Sequence, residues 1–320
     1  MTSAFTFALL GTILSGVATL GAQDTLRAPA GDGVRLRYVV HGAGRDTVIV
    51  PLAAWMERSL EALSIDRTVV FYDPRGRGGS TSPADTQAYG WVRDVADLES
   101  LRKHLRLSRF ALVGGAYYGA LAALYASQHP GRVTRVVMVG PLRPVAATKY
   151  THRLTARQRI DTLALAALAS MRKAGAETND PVTFCRVDLF ARAMPSIMGH
   201  PDFGARLLDD PCAFPNEWPS RAATFSRYLS AANGQWDWRT QARRARTPVL
   251  ILQGEDDPVS PVGAGREWAR RLPDAKLLVI AGAGHAPWLD GVPLFFDAIA
   301  VFLGGTWPVG AESVRVAGPR

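Results

Sequence analysis

Three short stretches of this 320-residue chain carry residues that could do chemistry together, and each follows an apolar run. The first is GGAYYG (Gly114–Gly119), the second is GEDDP with Asp257, and the third is AGAGH, which ends at His285. A histidine that moves a proton and a carboxylate that orients it are two members of a nucleophilic triad. The glycine-rich turn should supply the third, but its centre holds Ala116, which cannot attack a carbonyl carbon.

Apolar runs of strand length alternate with helical patterns, and these elements must position the three stretches. The predicted strands are VRLRYVV (34–40), TVIV (47–50), TVVFY (68–72), FALV (110–113), RVVMV (135–139), PVLILQ (248–253) and KLLVI (276–280). The predicted helices cover residues 55–63, 89–105, the alanine-rich segment after the turn, 262–272 and 292–303. This alternation predicts an α/β fold with a mainly parallel, doubly wound sheet, because parallel strands need crossovers that cover both faces.

Residues 144–241 interrupt the alternation with predicted helices at 156–173, 189–198 and 222–229, many prolines and no strand pattern. A helical insertion between strands of one sheet is expected to form a cap, or lid, over the edge where sites form. The predicted organisation is a core of residues 23–143 and 242–305, a cap of residues 144–241 and a C-terminal tail of residues 306–320.

With the order turn, acid and histidine, the chain resembles the α/β-hydrolase superfamily. The resemblance covers nearly everything from residue 34 to residue 303, including YDPRGRGGS after the TVVFY strand and the turns GEDDPVSP and AGAGHAP. Within the superfamily, the elbow and the helical cap are most similar to the proline iminopeptidase group. The resemblance implies an α/β-hydrolase fold, with Asp257 as the acid, His285 as the general base and Ala116 at the nucleophile position.

The same resemblance implies an oxyanion hole made from the backbone N–H groups of Ala53 and Tyr117. The loop before Ala53 reads Pro51–Leu52, where the family usually has His-Gly, and glycine there lets a backbone N–H approach the developing oxyanion. Tyr118 is bulky for a tight strand-to-helix turn, and we expect it to contact the ligand. These departures put the reaction in question and leave the predicted fold in place.

The cap is expected to determine the ligand. Trp218 is predicted to line an aromatic pocket, although packing of the cap on the core would explain this tryptophan as well. Glu217, in the stretch PNEW, is predicted to bind a cationic group such as a peptide amino terminus, with a solvated surface glutamate as the alternative. The predicted cap contains two cysteines, Cys185 and Cys212, and no His or further Cys stands at metal-ligand spacing around them. We therefore predict no metal and no cofactor. The predicted partner is a small-molecule or peptide-like ligand.

Residues 1–22 are mostly apolar, carry no charged side chain and end in small residues, which resembles a secretory signal peptide. They predict export, to the periplasm or outside, with an uncleaved membrane anchor as the alternative. In an exported protein Cys185 and Cys212 could form a disulfide; two buried thiols are the alternative. The net charge is +9, but basic residues are interleaved with acidic and apolar ones, so we interpret the charge as a solvated surface and predict no nucleic-acid binding.

Ala116 leaves three hypotheses for the function. In the first, a relative of peptidase or esterase ancestry has lost acyl-enzyme chemistry and binds a ligand under its cap, since losing a triad serine costs on the order of 10⁶ in turnover. In the second, His285 and Asp257 activate water or move protons on a substrate, in a hydrolase or lyase reaction. In the third, an active aminopeptidase or esterase carries an engineered Ser-to-Ala change at position 116, which a serine codon in the source genome would reveal.

Overall fold

A computed structural model describes residues 26–153, 161–197, 207–290 and 292–314 of the chain, so the predicted leader lies outside the described residues. The strands are β1 (Leu26–Pro29), β2 (Arg35–His41), β3 (Thr47–Pro51), β4 (Thr68–Tyr72), β5 (Phe110–Gly115), β6 (Val133–Val139), β7 (Val249–Gly254) and β8 (Ala275–Ile280). They form one sheet in the order β1-β2-β4-β3-β5-β6-β7-β8. β2 pairs antiparallel with β1 and β4, and every other pairing is parallel.

All seven predicted strands are present, within two residues at each end. The continuous apolar strands are buried because helices cover both faces of the sheet, and a separate apolar cluster packs on each face. The predicted α/β fold is therefore confirmed. Among the strands of the described residues, the edge strand β1 was not predicted, since LRAP is short, exposes three of its four residues and ends in proline.

The helices are α1 (Ala53–Met56), α2 (Trp91–His104), α3 (Ala116–Gln128), α4 (Thr162–Lys173), α5 (Ala176–Asn179), α6 (Pro181–Asp188), α7 (Met194–Ile197), α8 (Pro219–Asn233), α9 (Arg239–Arg244), α10 (Val262–Arg271) and α11 (Pro293–Leu303). The prediction of one helix over residues 55–63 is wrong, because α1 ends at Met56 and a separate 3-10 turn forms at Glu61–Ser64. The Asp209 carboxylate accepts hydrogen bonds from the backbone N–H groups of Arg58 and Ser59, which diverts them from a continuous helix.

The predicted cap contains α4 to α8, and its predicted end at residue 241 falls inside α9. Trp238, just before α9, is buried in the core beside Trp268, with ring centroids 6.5 Å apart. Residues 306–314, the described part of the predicted tail, pack on the core as well, since Leu277 in β8 and Glu312 exchange backbone hydrogen bonds. No helix in the described ranges is both long and apolar enough to cross a membrane.

Candidate active site

The turn between β5 and α3 is strained and tightly packed. Ala116 begins α3 with a φ of +50°, a left-handed conformation that costs a non-glycine residue about 1 kcal/mol or more. A Cβ on Gly114 would lie 2.5 Å from the Tyr118 carbonyl oxygen, and one on Gly119 would lie 2.8 Å from the Gly114 carbonyl oxygen. This is the geometry of a nucleophile elbow. The side chain that it presents is a methyl group.

His285 and Asp257 form a hydrogen-bonded pair that packs against the residue after β6. His285 Nδ1 lies 2.8 Å from Asp257 Oδ2, and Nε2 has no hydrogen-bond partner among the described residues. Asp257 is 2% exposed, and its Oδ1 accepts hydrogen bonds from the N–H groups of Val259 and Ser260, both at 2.8 Å. Gln253 donates to Oδ2 at 3.0 Å. These bonds fix the carboxylate, and the carboxylate fixes the imidazole.

Gly140 permits the close approach of this pair. It follows β6 with a φ of +48°, and a Cβ there would lie 2.9 Å from both Asp257 Oδ2 and His285 Nδ1. We predict that Gly140→Ala separates the pair and lowers the free energy of unfolding by about 1 to 3 kcal/mol. Urea unfolding measures this loss. The control Gly131→Ala has a similar positive φ of +81° but open space around its Cβ, so equal losses in the two variants would contradict the role of Gly140.

The loop after β3 is tied to the turn after β4. Leu52 has a φ of +73°, a conformation that glycine adopts without strain. The buried Asp73 accepts a hydrogen bond from the Ala54 N–H at 2.8 Å and so anchors the loop. Ala53 and Tyr117 occupy the first turns of α1 and α3, where N–H groups have no acceptor within the helix. The oxyanion hole assigned to these two residues stays a prediction.

A pocket of about 250 Å³ joins the elbow, the histidine turn and the cap. It is lined by Leu52, Trp55, Met56, Arg77, Gly115, Ala116, Tyr117, Tyr118, Leu207, His285, Ala286, Trp288 and Leu289. Most of these residues are apolar. Two polar atoms, Tyr118 Oη and Trp288 Nε1, are buried without a hydrogen-bond partner in the described part of the chain. An unpaired buried donor costs about 1 to 3 kcal/mol, so each atom would gain from an acceptor that reached it.

The role predicted for Glu217 is wrong, because its carboxylate is already saturated within the protein. Arg77 donates to Oε1 at 2.9 Å and to Oε2 at 2.6 Å, while Gly78 N–H and Trp55 Nε1 donate at 2.7 and 2.8 Å. Burial alone would raise the pKa of Glu217, but Arg77 and the other donors hold it below the ordinary glutamate value. Glu217 therefore fastens the cap to the core and has no oxygen to spare for a cationic ligand group.

Trp218 also does not line the pocket. Its Nε1 donates to the Cys212 carbonyl oxygen at 3.0 Å, and its ring packs in the apolar cluster between cap and core. Of the three residues predicted to contact the ligand, Tyr118 is the one that lines the pocket. The aromatic residues missed by the sequence analysis are Trp55 and Trp288, which come from core loops. The sequence offered one signal for them, which is position: Trp55 lies shortly after β3, and Trp288 lies shortly after His285.

Cys185 of α6 and Cys212 form a disulfide, the first of the two alternatives that the sequence left open. Cys212 lies five residues before Glu217, so the cross-link restrains the segment from which Glu217 reaches the core. The disulfide and the Glu217 ion pair thus hold the same part of the cap.

Tyr117 connects the elbow to a buried acid of α2. Its hydroxyl donates to Asp94 Oδ2 at 2.6 Å, and Asp94 is 4% exposed. Burial raises the pKa of Asp94 to about 7; Asp97 adds to this rise, while the Tyr117 hydrogen bond and Arg75 oppose it. The folded state holds this proton more tightly than the unfolded chain. The contribution of the Asp94 carboxyl group to stability is therefore complete when the pH is below the ordinary aspartate pKa, and it is lost as the pH rises through 7.

We predict that Asp94→Asn removes this pH dependence, because asparagine still accepts the Tyr117 hydrogen bond but cannot ionise. Between pH 5 and pH 8 the free energy of unfolding of the wild-type protein should fall by about 3 kcal/mol more than that of the variant. Chemical denaturation at the two pH values measures the difference. Asp85→Asn, at an exposed aspartate, should behave like the wild type. An unchanged pH dependence in Asp94→Asn would rule out the raised pKa as its source.

The α/β-hydrolase class is defined by a mainly parallel sheet that carries an elbow, an acid and a histidine after three of its strands, which here are β5, β7 and β8. The described residues contain no group of three or more His, Cys, Asp or Glu side chains that could hold a metal ion. A sequence model of the alpha/beta hydrolase family matches residues 38–298, so this chain belongs to that family. The predicted family is confirmed.

Known proteins similar to this chain include an uncharacterised protein of Mycobacterium tuberculosis, 27% identical over an alignment of 256 residues that covers 75% of this chain and 69% of the relative. A probable proline iminopeptidase of Leptolyngbya boryana is 22% identical over 247 residues, 70% of this chain and 74% of the relative. The crystal structure of the esterase RhEst1 from Rhodococcus sp. ECU1013 matches with a TM-score of 0.65 and 22% identity, covering 88% of this chain and 99% of the esterase. The structural match concerns the fold alone.

Proposed function

We propose that this α/β-hydrolase relative binds a small, uncharged carbonyl compound in its pocket and performs no acyl-enzyme chemistry. The position of Ala116 carries the proposal. It lines the pocket together with His285, where the nucleophile of a serine hydrolase belongs, and a methyl group can neither attack a carbonyl carbon nor be activated by a base. The pocket and the His285–Asp257 pair otherwise retain the surroundings of a hydrolase site.

The polar atoms around the pocket support an uncharged ligand with an acceptor oxygen. Tyr118 and Trp288 line the pocket, and their buried donors Oη and Nε1 have no partner in the described ranges. A ligand carbonyl oxygen that approached them after small side-chain shifts would accept their hydrogen bonds. Arg77 lines the pocket too, but its guanidinium makes two hydrogen bonds to Glu217. The pocket therefore offers no uncompensated positive charge to a carboxylate.

Phenyl acetate is a suitable probe because it is apolar and carries one ester carbonyl. Saturation-transfer NMR should detect its binding to the wild-type protein, with no hydrolysis above that in buffer. Met56→Trp fills the pocket and should abolish the transfer, whereas Leu163→Trp, at a residue 81% exposed on α4, should leave it unchanged. Transfer that survives Met56→Trp would mean that the compound binds elsewhere, and the proposal would fail.

The intact His285–Asp257 pair favours one other function, general-base catalysis without a covalent intermediate. A water at the place of the missing hydroxyl would give its proton to His285 Nε2 and attack a substrate carbonyl carbon; in a lyase, Nε2 would take a proton from the substrate itself. Wild-type turnover of p-nitrophenyl esters that disappears in His285→Ala would favour this function. Turnover at the buffer rate in both proteins would favour the binding protein for these substrates.

We also propose that the protein is exported. The Cys185–Cys212 disulfide supports export, since disulfides persist mainly in oxidising compartments. The apolar, uncharged residues 1–22 supply the expected signal. Mass spectrometry of protein purified from its source should find a new amino terminus near Ala22. An intact amino terminus in the membrane fraction would favour the anchored alternative instead.

A further inference from the structure

The strand order gathers arginines that are far apart in the sequence. β4, β3, β5 and β6 are parallel neighbours, so their amino ends lie along one edge of the sheet. An arginine stands just before or within the start of each: Arg67 at β4, Arg45 at β3, Arg109 at β5 and Arg135 at β6. The scattered basic residues of the sequence thus become a cluster that the sequence analysis did not predict.

These four arginines line one surface cavity of about 320 Å³. Hydroxyl side chains and one carboxylate complete its polar lining: Thr47, Ser108, Thr134 and Asp46. The cavity lies at the amino edge of the parallel strands, and the pocket beside Ala116 and His285 lies at their carboxyl edge. The two are separate sites at opposite edges of the sheet, and binding at one does not depend on the ligand proposed for the other.

Two of the arginines are held by the protein and two are free. Arg67 donates to Asp66 and to the Ala300 carbonyl oxygen, and the Arg135 guanidinium lies 5.3 Å from the centre of the Phe302 ring. Arg45 and Arg109 are exposed and form no ion pair or hydrogen bond with any described residue. Like charges around one cavity repel one another, and a bound anion relieves that repulsion.

We propose that this cavity binds a phosphate group. The planar fork of arginine donors matches the spacing of phosphate oxygens, and the hydroxyls of Ser108 and Thr134 add neutral donors. After Asp46 and the Asp66 that pairs with Arg67 are subtracted, the arginines leave a formal surplus of two positive charges. That surplus matches a phosphate monoester dianion. A soluble phosphate compound and a lipid headgroup share this chemistry.

Isothermal titration calorimetry of the full chain with inorganic phosphate tests the site. The wild type should bind phosphate, and the double variant Arg45→Gln, Arg109→Gln should bind it at least about tenfold more weakly, because charge-assisted hydrogen bonds are lost. The control Arg93→Gln, Arg266→Gln removes two exposed arginines outside the cavity and should keep the wild-type affinity. No binding by the wild type, or equal weakening in both double variants, would overturn the proposal.

Flotation with vesicles of phosphatidylcholine and phosphatidic acid, a lipid whose headgroup is a phosphate monoester, distinguishes the two sources of phosphate. The ligand is a lipid headgroup if the wild type binds vesicles, inorganic phosphate inhibits that binding, and the Arg45, Arg109 double variant does not bind them. Phosphate binding without vesicle binding assigns the site to a soluble phosphate compound. If both double variants bind vesicles equally well and the wild type does not bind inorganic phosphate, the proposed phosphate site is wrong.

Discussion

Replacing Ala116 by serine should give this protein measurable esterase activity. The elbow already holds position 116 at a φ of +50°, and His285 Nδ1 lies 2.8 Å from Asp257 Oδ2, so the hydroxyl is the missing part of the triad. Losing a triad serine costs on the order of 10⁶ in turnover. Because Leu52 stands in the predicted oxyanion loop where the family usually has glycine, we expect partial recovery, a rise in kcat/KM for p-nitrophenyl acetate of at least about 10³-fold.

Initial rates of the wild type, Ala116→Ser, and Ala116→Ser combined with His285→Ala measure this gain. The combined variant should lose it, because a serine hydroxyl without its base is a poor nucleophile. Parallel assays with an aminoacyl-p-nitroanilide would separate peptidase from esterase ancestry. If Ala116→Ser is no faster than the wild type on either substrate, alanine is not the sole defect, and the oxyanion loop at Leu52 becomes the next residue to replace.

The residues at strand ends were predictable from the sequence. Ala116 directly follows β5, Asp257 comes three residues after β7 and His285 comes five residues after β8. Apolar periodicity marks buried strands, and parallel strands bring their carboxyl ends to one edge, so linear order was enough to place these three residues together. The fold followed from the same pattern.

The cap contacts were not predictable, because they join residues that are remote in sequence. Glu217 and Arg77 are 140 positions apart, and no local pattern shows which arginine a cap carboxylate pairs with. A buried ion pair and a ligand-binding carboxylate have the same sequence signature, namely a glutamate near aromatic residues. The arginine cavity was missed for the same reason, since Arg45 and Arg109 become neighbours only through the strand order.

Removing the Glu217 carboxylate should cause a large loss of stability. Glu217→Ala would leave the Arg77 guanidinium, the Gly78 N–H and Trp55 Nε1 without their shared acceptor. Breaking a buried ion pair by deleting one partner costs about 3 to 5 kcal/mol, and we expect a fall of that size in the free energy of unfolding. The control Glu177→Ala removes a partly exposed cap pair with Arg172 and should cost about 1 kcal/mol or less.

A double-mutant cycle with Arg77→Leu separates the ion pair from packing. If the pair dominates, the double variant should be more stable than the sum of the single losses predicts, by about 1 to 3 kcal/mol. The folded pKa of Glu217 is lowered, so its contribution is present above the ordinary glutamate value and is lost at lower pH. The gap between wild type and Glu217→Ala should therefore narrow as the pH falls below about 4. If the difference in stability between wild type and Glu217→Ala does not change with pH, the loss comes from packing.

Glu217 also connects cap stability to the pocket, because its partners Arg77 and Trp55 both line that pocket. In Glu217→Ala the Arg77 charge would be uncompensated beside the ligand, and the Trp55 ring would lose the hydrogen bond that orients it. We therefore expect Glu217→Ala to weaken phenyl acetate binding even where the protein remains folded, while Glu177→Ala does not. Unchanged binding in folded Glu217→Ala would limit this ion pair to a role in stability.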